Sequence, residues 1–215
     1  MDKTSGLVLD VASQVGGSMP STTTLTDRSR FKNNGAMTNV TWSQLPSKLW
    51  VMNYNGITGI TTITDSASLR FAGNFSISAW IKVTDPTLAA EQRVIWKKTL
   101  PSGTTGWCVY LQLSKLYIGF GTGSGFQEKQ KAYTSTAWTH IVCGYNGGTF
   151  HYYNGISQGG QATVGTPTAG TQNLLLGTGS TTYYGGLMSF PHFFSYALSP
   201  AQIRNLFNRE VRLFR

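Results

Sequence analysis

The stretch Phe75–Val83 constrains this chain more than any other, because it alternates strictly. Phe75, Ile77, Ala79, Ile81 and Val83 share one face, while Ser76, Ser78, Trp80 and Lys82 share the other. A period of two marks a β-strand with one face on a core. Comparable runs lie at 6–11, 49–54, 57–64, 93–98, 107–113, 115–120, 138–145, 149–153, 172–177 and 186–194. Gly, Asn, Ser and Thr clusters that break strands separate them. Helical periodicity is almost absent until the end of the chain. Many short strands with Gly-rich turns predict an all-β fold, a two-sheet antiparallel jelly-roll sandwich rather than alternating βα units. The 215 residues suit one domain, 1–215, able to bury a core without staples.

Three Tyr-Asn-Gly triplets, at 54–56, 145–147 and 153–155, supply the positive φ that tight turns need. The last two frame a hairpin of strands 138–145 and 149–153. One helix is signalled, at 199–209. Ser199 is its N-cap, Pro200 its first residue, and Gln202 closes a capping box. Leu198 and Ile203 form a hydrophobic staple across its start. A basic tail, 210–215, follows and is expected to be dispensable for folding. The predicted core contains Phe75, Ile77, Ala79, Ile81, Val109, Leu111, Val142, Leu174 and Leu176.

Composition removes several classes. Hydrophobic residues make up 40% and charged residues only 12%, which fits neither a disordered chain nor a coiled coil. No apolar run approaches the ~20 residues of a membrane span. The opening Met1–Gly6 has no basic segment leading into an apolar stretch, so the chain is expected to stay in the cytoplasm where it is made. Cys108 and Cys143 have no metal-ligand spacing and sit in apolar runs, which reads as two buried free thiols.

The order of motifs along the chain resembles the laminin-G-like, concanavalin A-like jelly-roll domains. The series runs Leu7-Val8-Leu9-Asp10, Asp27-Arg28-Ser29, Asn33-Asn34-Gly35 and Ile63-Thr64-Asp65-Ser66-Ala67-Ser68-Leu69, then the strand from Phe75. It continues with Trp138-Thr139-His140-Ile141-Val142, Tyr145-Asn146-Gly147, Tyr152-Tyr153-Asn154-Gly155, Leu174-Leu175-Leu176-Gly177 and Gly185-Gly186-Leu187. It closes with Tyr196-Ala197-Leu198-Ser199-Pro200-Ala201-Gln202-Ile203. The resemblance implies a double-sheet sandwich that binds glycans or proteins. Such domains occur in extracellular adhesins and in virion proteins of tailed bacteriophages, and the stretch ending Val211-Arg212-Leu213-Phe214-Arg215 is most similar to the phage versions. Family members often carry Asp where this chain has Asn146 and Asn154, and an Asp-Glu pair where it has Met188-Ser189. Asp27 with Asn33, Asn34 and backbone carbonyls is the remaining candidate for a weak calcium site; the competing reading is an Asx-type turn. No other metal or cofactor is expected.

Catalysis finds little to work with. Related glucanases place paired carboxylates on one strand, as glycoside hydrolysis requires. Here Glu91, Glu128 and Glu210 stand far apart, with no acidic partner within five residues of any. A lyase pairing would use His140, His151 and Tyr153 on neighbouring strands; the alternative is a structural His140 and a solvent-facing His151. Gly119–Gly125 lacks the Gly-Lys-Ser/Thr ending of a phosphate loop and is expected to be a mobile loop. The net charge of +9 comes from Lys97, Lys98, Lys129, Lys131, Arg204, Arg209, Arg212 and Arg215 among others. It carries no nucleic-acid motif, and suits an acidic capsid shell or an anionic bacterial surface. Trp42, Phe126, Tyr183 and Tyr184 are expected in polar loops, where rings can stack on sugars or equally cover the sandwich edges or a subunit interface.

These readings combine into one expectation: a non-enzymatic, multi-copy accessory protein of a phage virion, decorating the capsid or forming a head or tail appendage. It would assemble in the host cytoplasm, contact capsid or tail proteins through Arg204, Arg209, Arg212 and Arg215, and take host polysaccharide on its loops. The alternative is a secreted carbohydrate-binding adhesin module. Nucleic acid and membrane insertion are not expected.

Overall fold

The computed structural model describes residues 6–11, 14–98, 103–179 and 181–215. In chain order it opens with β1 (Leu7–Asp10), β2 (Thr24–Leu25), β3 (Gly35–Thr38), β4 (Val40–Gln44), β5 (Trp50–Asn55) and β6 (Ile60–Ile63). Next come β7 (Phe75–Val83), β8 (Gln92–Lys98), β9 (Gly106–Gln112), β10 (Lys115–Gly121) and β11 (Phe126–Ala132). β12 (Thr139–Tyr145), β13 (Thr149–Tyr153), β14 (Ile156–Gln161), β15 (Leu174–Leu176) and β16 (Gly185–Phe194) complete the strands, and α1 (Pro200–Glu210) follows.

The strands form two eight-stranded antiparallel sheets. The first has the order β14-β13-β12-β7-β16-β5-β4, with β1 also pairing with β16. The second runs β11-β10-β9-β8-β15-β6-β3-β2. β16 therefore lies inside the first sheet: all of it runs beside β7, its first half beside β5 and its last residues beside β1. One hydrophobic core joins the sheets, and eight of the expected residues belong to it: Phe75, Ile77, Ala79, Ile81, Val109, Leu111, Leu174 and Leu176. Val142 is buried on the other face, with Phe194, Leu198 and Ile203. The period-two rule explains the difference, since Val142 alternates with Ile141 and Cys143, which point inward.

The structure departs from the sequence reading in three further ways, besides the short strands β2, β3 and β4 that it adds. β11, Phe-Gln-Glu-Lys-Gln-Lys-Ala, and β14, Ile-Ser-Gln-Gly-Gly-Gln, end the two sheets and carry too few apolar residues to show a pattern. Gly119 and Gly121 are not in a mobile loop but inside β10. A Cβ at Gly119 would lie 2.6 Å from the Phe126 ring, and one at Gly121 would collide with the Thr104 carbonyl. Only residues 122–125 turn, closed by Thr122 N–H donating to Gly125 O (2.9 Å).

The third departure is the C-terminal tail. α1 starts as expected, with the full Ser199–Gln202 capping box and Pro200 in its first turn. Residues Val211–Phe214 then form a 3-10 turn that folds back on the sandwich. Phe214 stacks on Trp80 at 4.1 Å, Trp80 Nε1 donates to Glu210 Oε2 (2.8 Å), and Ser47 Oγ donates to Leu213 O (2.6 Å). Residues 210–215 thus form a packed layer on the sandwich and not a free tail. This layer covers Trp80, while residues 196–198 cover Ser76 and His140 lies against Ser78, so the face of β7 that alternation alone assigns to solvent is buried.

Candidate functional site

Where α1 crosses β1 and β16 it leaves a cleft of about 560 Å³. Its floor follows from strand alternation: Phe193 points into the core, so His192 and Phe194 point outward beneath the helix. Its wall follows from helix spacing, since Gln202, Asn205, Leu206 and Arg209 recur at intervals of three and four. Phe194 and Tyr196 meet edge-on at 5.6 Å and supply an apolar surface, with Leu206 above. The polar groups converge from both sides. His192 Nε2 lies 3.0 Å from Asp10 Oδ1, and Arg209 lies on the helix with one nitrogen 2.9 Å from Glu210 Oε1. The hydrogen bond from His192 holds the Asp10 carboxyl below its usual range, aided by the positive charges of Arg28 and Arg209 and opposed by burial. An aromatic and aliphatic floor with a carboxylate, a guanidinium and two side-chain amides is the build of a small-ligand site.

The aromatic residues singled out from the sequence do not gather. Trp42 stands on β4, its Nε1 donating to Ser21 O (2.9 Å), beside Arg28 in a hollow of about 230 Å³. Phe126 opens β11 at the opposite side of the sandwich, with Lys98 Nζ 3.5 Å above its ring. Tyr183 bridges to Thr178. Trp42 and Phe126 thus stand on strands and not in the expected loops, whereas Tyr184 does lie in the segment before β16 but is closed to any ligand. Its side chain is wholly buried, its hydroxyl donates to Leu187 O (2.9 Å), and burial raises its pKa well above the usual phenol value. It cannot reach a sugar.

Asp27 is also wholly buried. Oδ1 accepts from the N–H of Asp10 (2.9 Å) and of Ser29 (2.8 Å), while Oδ2 accepts from Ser29 Oγ (2.7 Å) and Asn33 N–H (2.7 Å). Asn34 Oδ1 accepts from Asp27 N–H, and Asn33 Nδ2 donates to Val8 O. These three side chains therefore tie the 26–34 loop to β1, with both carboxylate oxygens turned to hydrogen-bond donors. Among the described residues no three His, Cys, Asp or Glu side chains gather as a metal site.

The residues considered for catalysis are dispersed. Glu91 pairs with Arg93 (2.8 Å), Glu128 is exposed on β11, and Glu210 is buried against Trp80. Glu91 and Glu128 both bear on Tyr110, whose pKa rises chiefly through burial and then through Glu128. His151 is fully buried rather than facing solvent. It lies opposite Cys143 on the core face, with Tyr153. His140 lies on the outer face, 2.8 Å from Ser78 Oγ and against Trp80 and Phe207. One sheet separates the two rings, so they share no substrate. Burial lowers His140 to about 3 and His151 to about 4, which leaves both neutral near pH 7. Cys108 and Cys143 are buried free thiols.

Among the basic residues, Lys97 is buried and paired with Asp65. Arg204, Arg209, Arg212 and Arg215 are all exposed on α1 and the turn after it, and Arg209 also lines the cleft. The sequence reading passed over Asp10, His192 and Asn205, although the second stripe at 202, 205, 206 and 209, apart from Ile203, was a readable signal that α1 faces two surroundings.

No curated protein matches the sequence. Solved structures match the fold over nearly the whole chain. The binding domain of Paraclostridial Mosquitocidal Protein 1 aligns with TM-score 0.75 at 15% identity, covering 96% of this chain and 52% of that one. A structure of botulinum neurotoxin type C, whose cell entry depends on interaction with two ganglioside molecules, aligns with TM-score 0.72 at 14% identity, covering 96% and 51%. The binding domain of botulinum neurotoxin DC in complex with rat synaptotagmin II aligns with TM-score 0.72 at 15% identity, covering 96% and 52%. The chain spans about half the length of these structures. At such identities they speak for the fold alone. A laminin G model of the concanavalin A-like lectin/glucanases superfamily matches residues 55–204, and with two antiparallel sheets, a short C-terminal helix and this match the chain belongs to that superfamily.

Proposed function

We propose that this chain is a non-enzymatic carbohydrate-binding module whose ligand occupies the cleft between α1 and the β1–β16 pair. The observation that carries the reading is the make-up of that cleft. Phe194 and Tyr196 offer apolar ring surface, and Asp10, Gln202, Asn205 and Arg209 offer hydrogen-bond partners around it. Sugars have this same duality of apolar ring faces and hydroxyl edges. Support comes from the similar folds of a neurotoxin whose cell entry depends on two ganglioside molecules and of a binding domain in complex with rat synaptotagmin II, and from the dispersal of Glu91, Glu128 and Glu210, which leaves no acid–base carboxylate pair in the cleft.

The finer reading is an accessory protein carried in many copies on a phage particle, as a capsid decoration or a head or tail appendage. It rests on the likeness of the C-terminal stretch to phage virion domains and on the four exposed arginines there, which suit an acidic shell. Many copies would multiply weak sugar contacts through effective concentration.

The test is a glycan array probed with the purified protein displayed on beads, so that weak contacts add. Binding that falls at least about tenfold in Asn205→Ala and in His192→Ala places the ligand in the cleft. Signal unchanged in both variants removes the cleft from the reading. Release of reducing sugar ends that stops in Glu128→Gln overturns the non-enzymatic part. Mass spectrometry of purified particles tests the virion role, and finding the chain only outside cells overturns it.

A further inference from the structure

The cleft is not closed at its far end. Leu198, the residue before the helix cap, lines it and also lines a second hollow of about 460 Å³ against the outer face of β13 and β14. The two depressions therefore adjoin across one leucine, on either side of the chain entering α1. Their chemistry differs. The first carries Asp10, His192 and Arg209. The second has no charged side chain in its lining: it offers Phe150, Tyr152, Asn146, Gln161 and the exposed ring of Pro200, with glycines between them. Phe150 and Tyr152 meet edge-on at 6.2 Å, and both are half-buried. The Gln161 side chain lines this hollow, and its amide oxygen is buried with no hydrogen-bond partner among the described residues.

We propose that the second hollow is a subsite for neutral sugar residues, so that the ligand is an oligosaccharide laid across Leu198 and not a single terminal sugar. The inference rests on the carbohydrate reading of the cleft and assigns the chain length and the uncharged half of the ligand. Aromatic edges, amides, a hydroxyl and exposed backbone suit neutral hydroxyl-rich rings, whereas an acidic residue would find no cation in the hollow. The Gly-rich walls let a sugar ring approach the backbone closely. Leu198 itself is tied from beneath to β7, its N–H donating to Ser76 Oγ (2.8 Å).

The experiment titrates the full chain calorimetrically with two-residue and five-residue oligosaccharides of β-linked glucose, N-acetylglucosamine and galactose. The expected result is at least one series in which the longer member binds about tenfold more tightly. Tyr152→Ala and Gln161→Ala, each checked for an unchanged melting profile, then remove that advantage and leave the two-residue affinity intact. Asn205→Ala weakens both lengths. Equal affinity for both lengths, or a length advantage that survives both hollow variants, overturns the subsite while the cleft reading stands. If no five-residue probe binds, the carbohydrate reading fails and the subsite with it.

Discussion

His140 and His151 decide how this protein answers to acid. Both are buried and neutral, with pKa values lowered to about 3 and about 4 by loss of solvation. In the unfolded chain each titrates near ~6.5. Between these values the unfolded state binds more protons than the native state, so stability falls as pH falls. We expect full stability above pH 6.5 and a loss of up to about 1.4 kcal/mol per pH unit for each histidine below it. Urea midpoints at pH 7.5, 6 and 5 measure this, and His151→Asn should flatten the slope. A midpoint independent of pH over that range contradicts the burial of these rings. Asp27 gives a second check. With four donors on its carboxylate, Asp27→Ala should cost about 3 kcal/mol, because several buried N–H groups lose their acceptor together. A chelator should leave the melting temperature of the wild type unchanged; a calcium-dependent rise that Asp27→Ala abolishes restores the metal reading. At this scale the sequence was legible where alternation or turn chemistry spoke, as at Asn154-Gly155, both at positive φ in the β13–β14 turn. It was silent on Tyr184, whose neighbours Tyr183 and Gly185 are polar-loop types although its own ring enters the core.

The elements divide in the same way. The strands nearest the core, β7, β9, β10, β12 and β16, were readable because each must place apolar residues at every second position. The edge strands β11 and β14 were not, because hydrogen bonding to a neighbour demands no particular side chain. The cleft stayed hidden for a related reason. Its residues come from β1, β16 and α1, and only the docking of the helix brings them together. The C-terminal turn is where a prediction belongs. Removing 210–215 takes away the Glu210 acceptor of Trp80 Nε1 and the Phe214 ring stacked on it. We expect a drop in melting temperature and a red shift of tryptophan fluorescence, with Phe214→Ala alone costing about 2 kcal/mol. A truncated chain with unaltered stability and fluorescence shows that the layer contributes nothing. Ser199→Ala, which breaks the capping box, should cost about 1 kcal/mol by the same denaturation assay.

For the whole molecule, one core shared by both sheets implies that they unfold together. Far-ultraviolet circular dichroism reports the sheets, and fluorescence reports both Trp107 in the core and Trp80 under the outer layer. Coincident transitions are expected; an earlier fluorescence change marks separate loss of the α1 layer. The position of β16 carries a consequence for biosynthesis. The last strand to be made lies inside the first sheet, between β7 and β5. While roughly a hundred residues are still to be translated, on the order of ten seconds at the ribosome, β5 and β7 face each other across a vacancy with their inner edges bare. Nascent chains on one polysome hold the same unpaired edges close together. Yield in a producing cell should therefore depend on how well those edges are shielded during translation, and slower synthesis without chaperones should lower it.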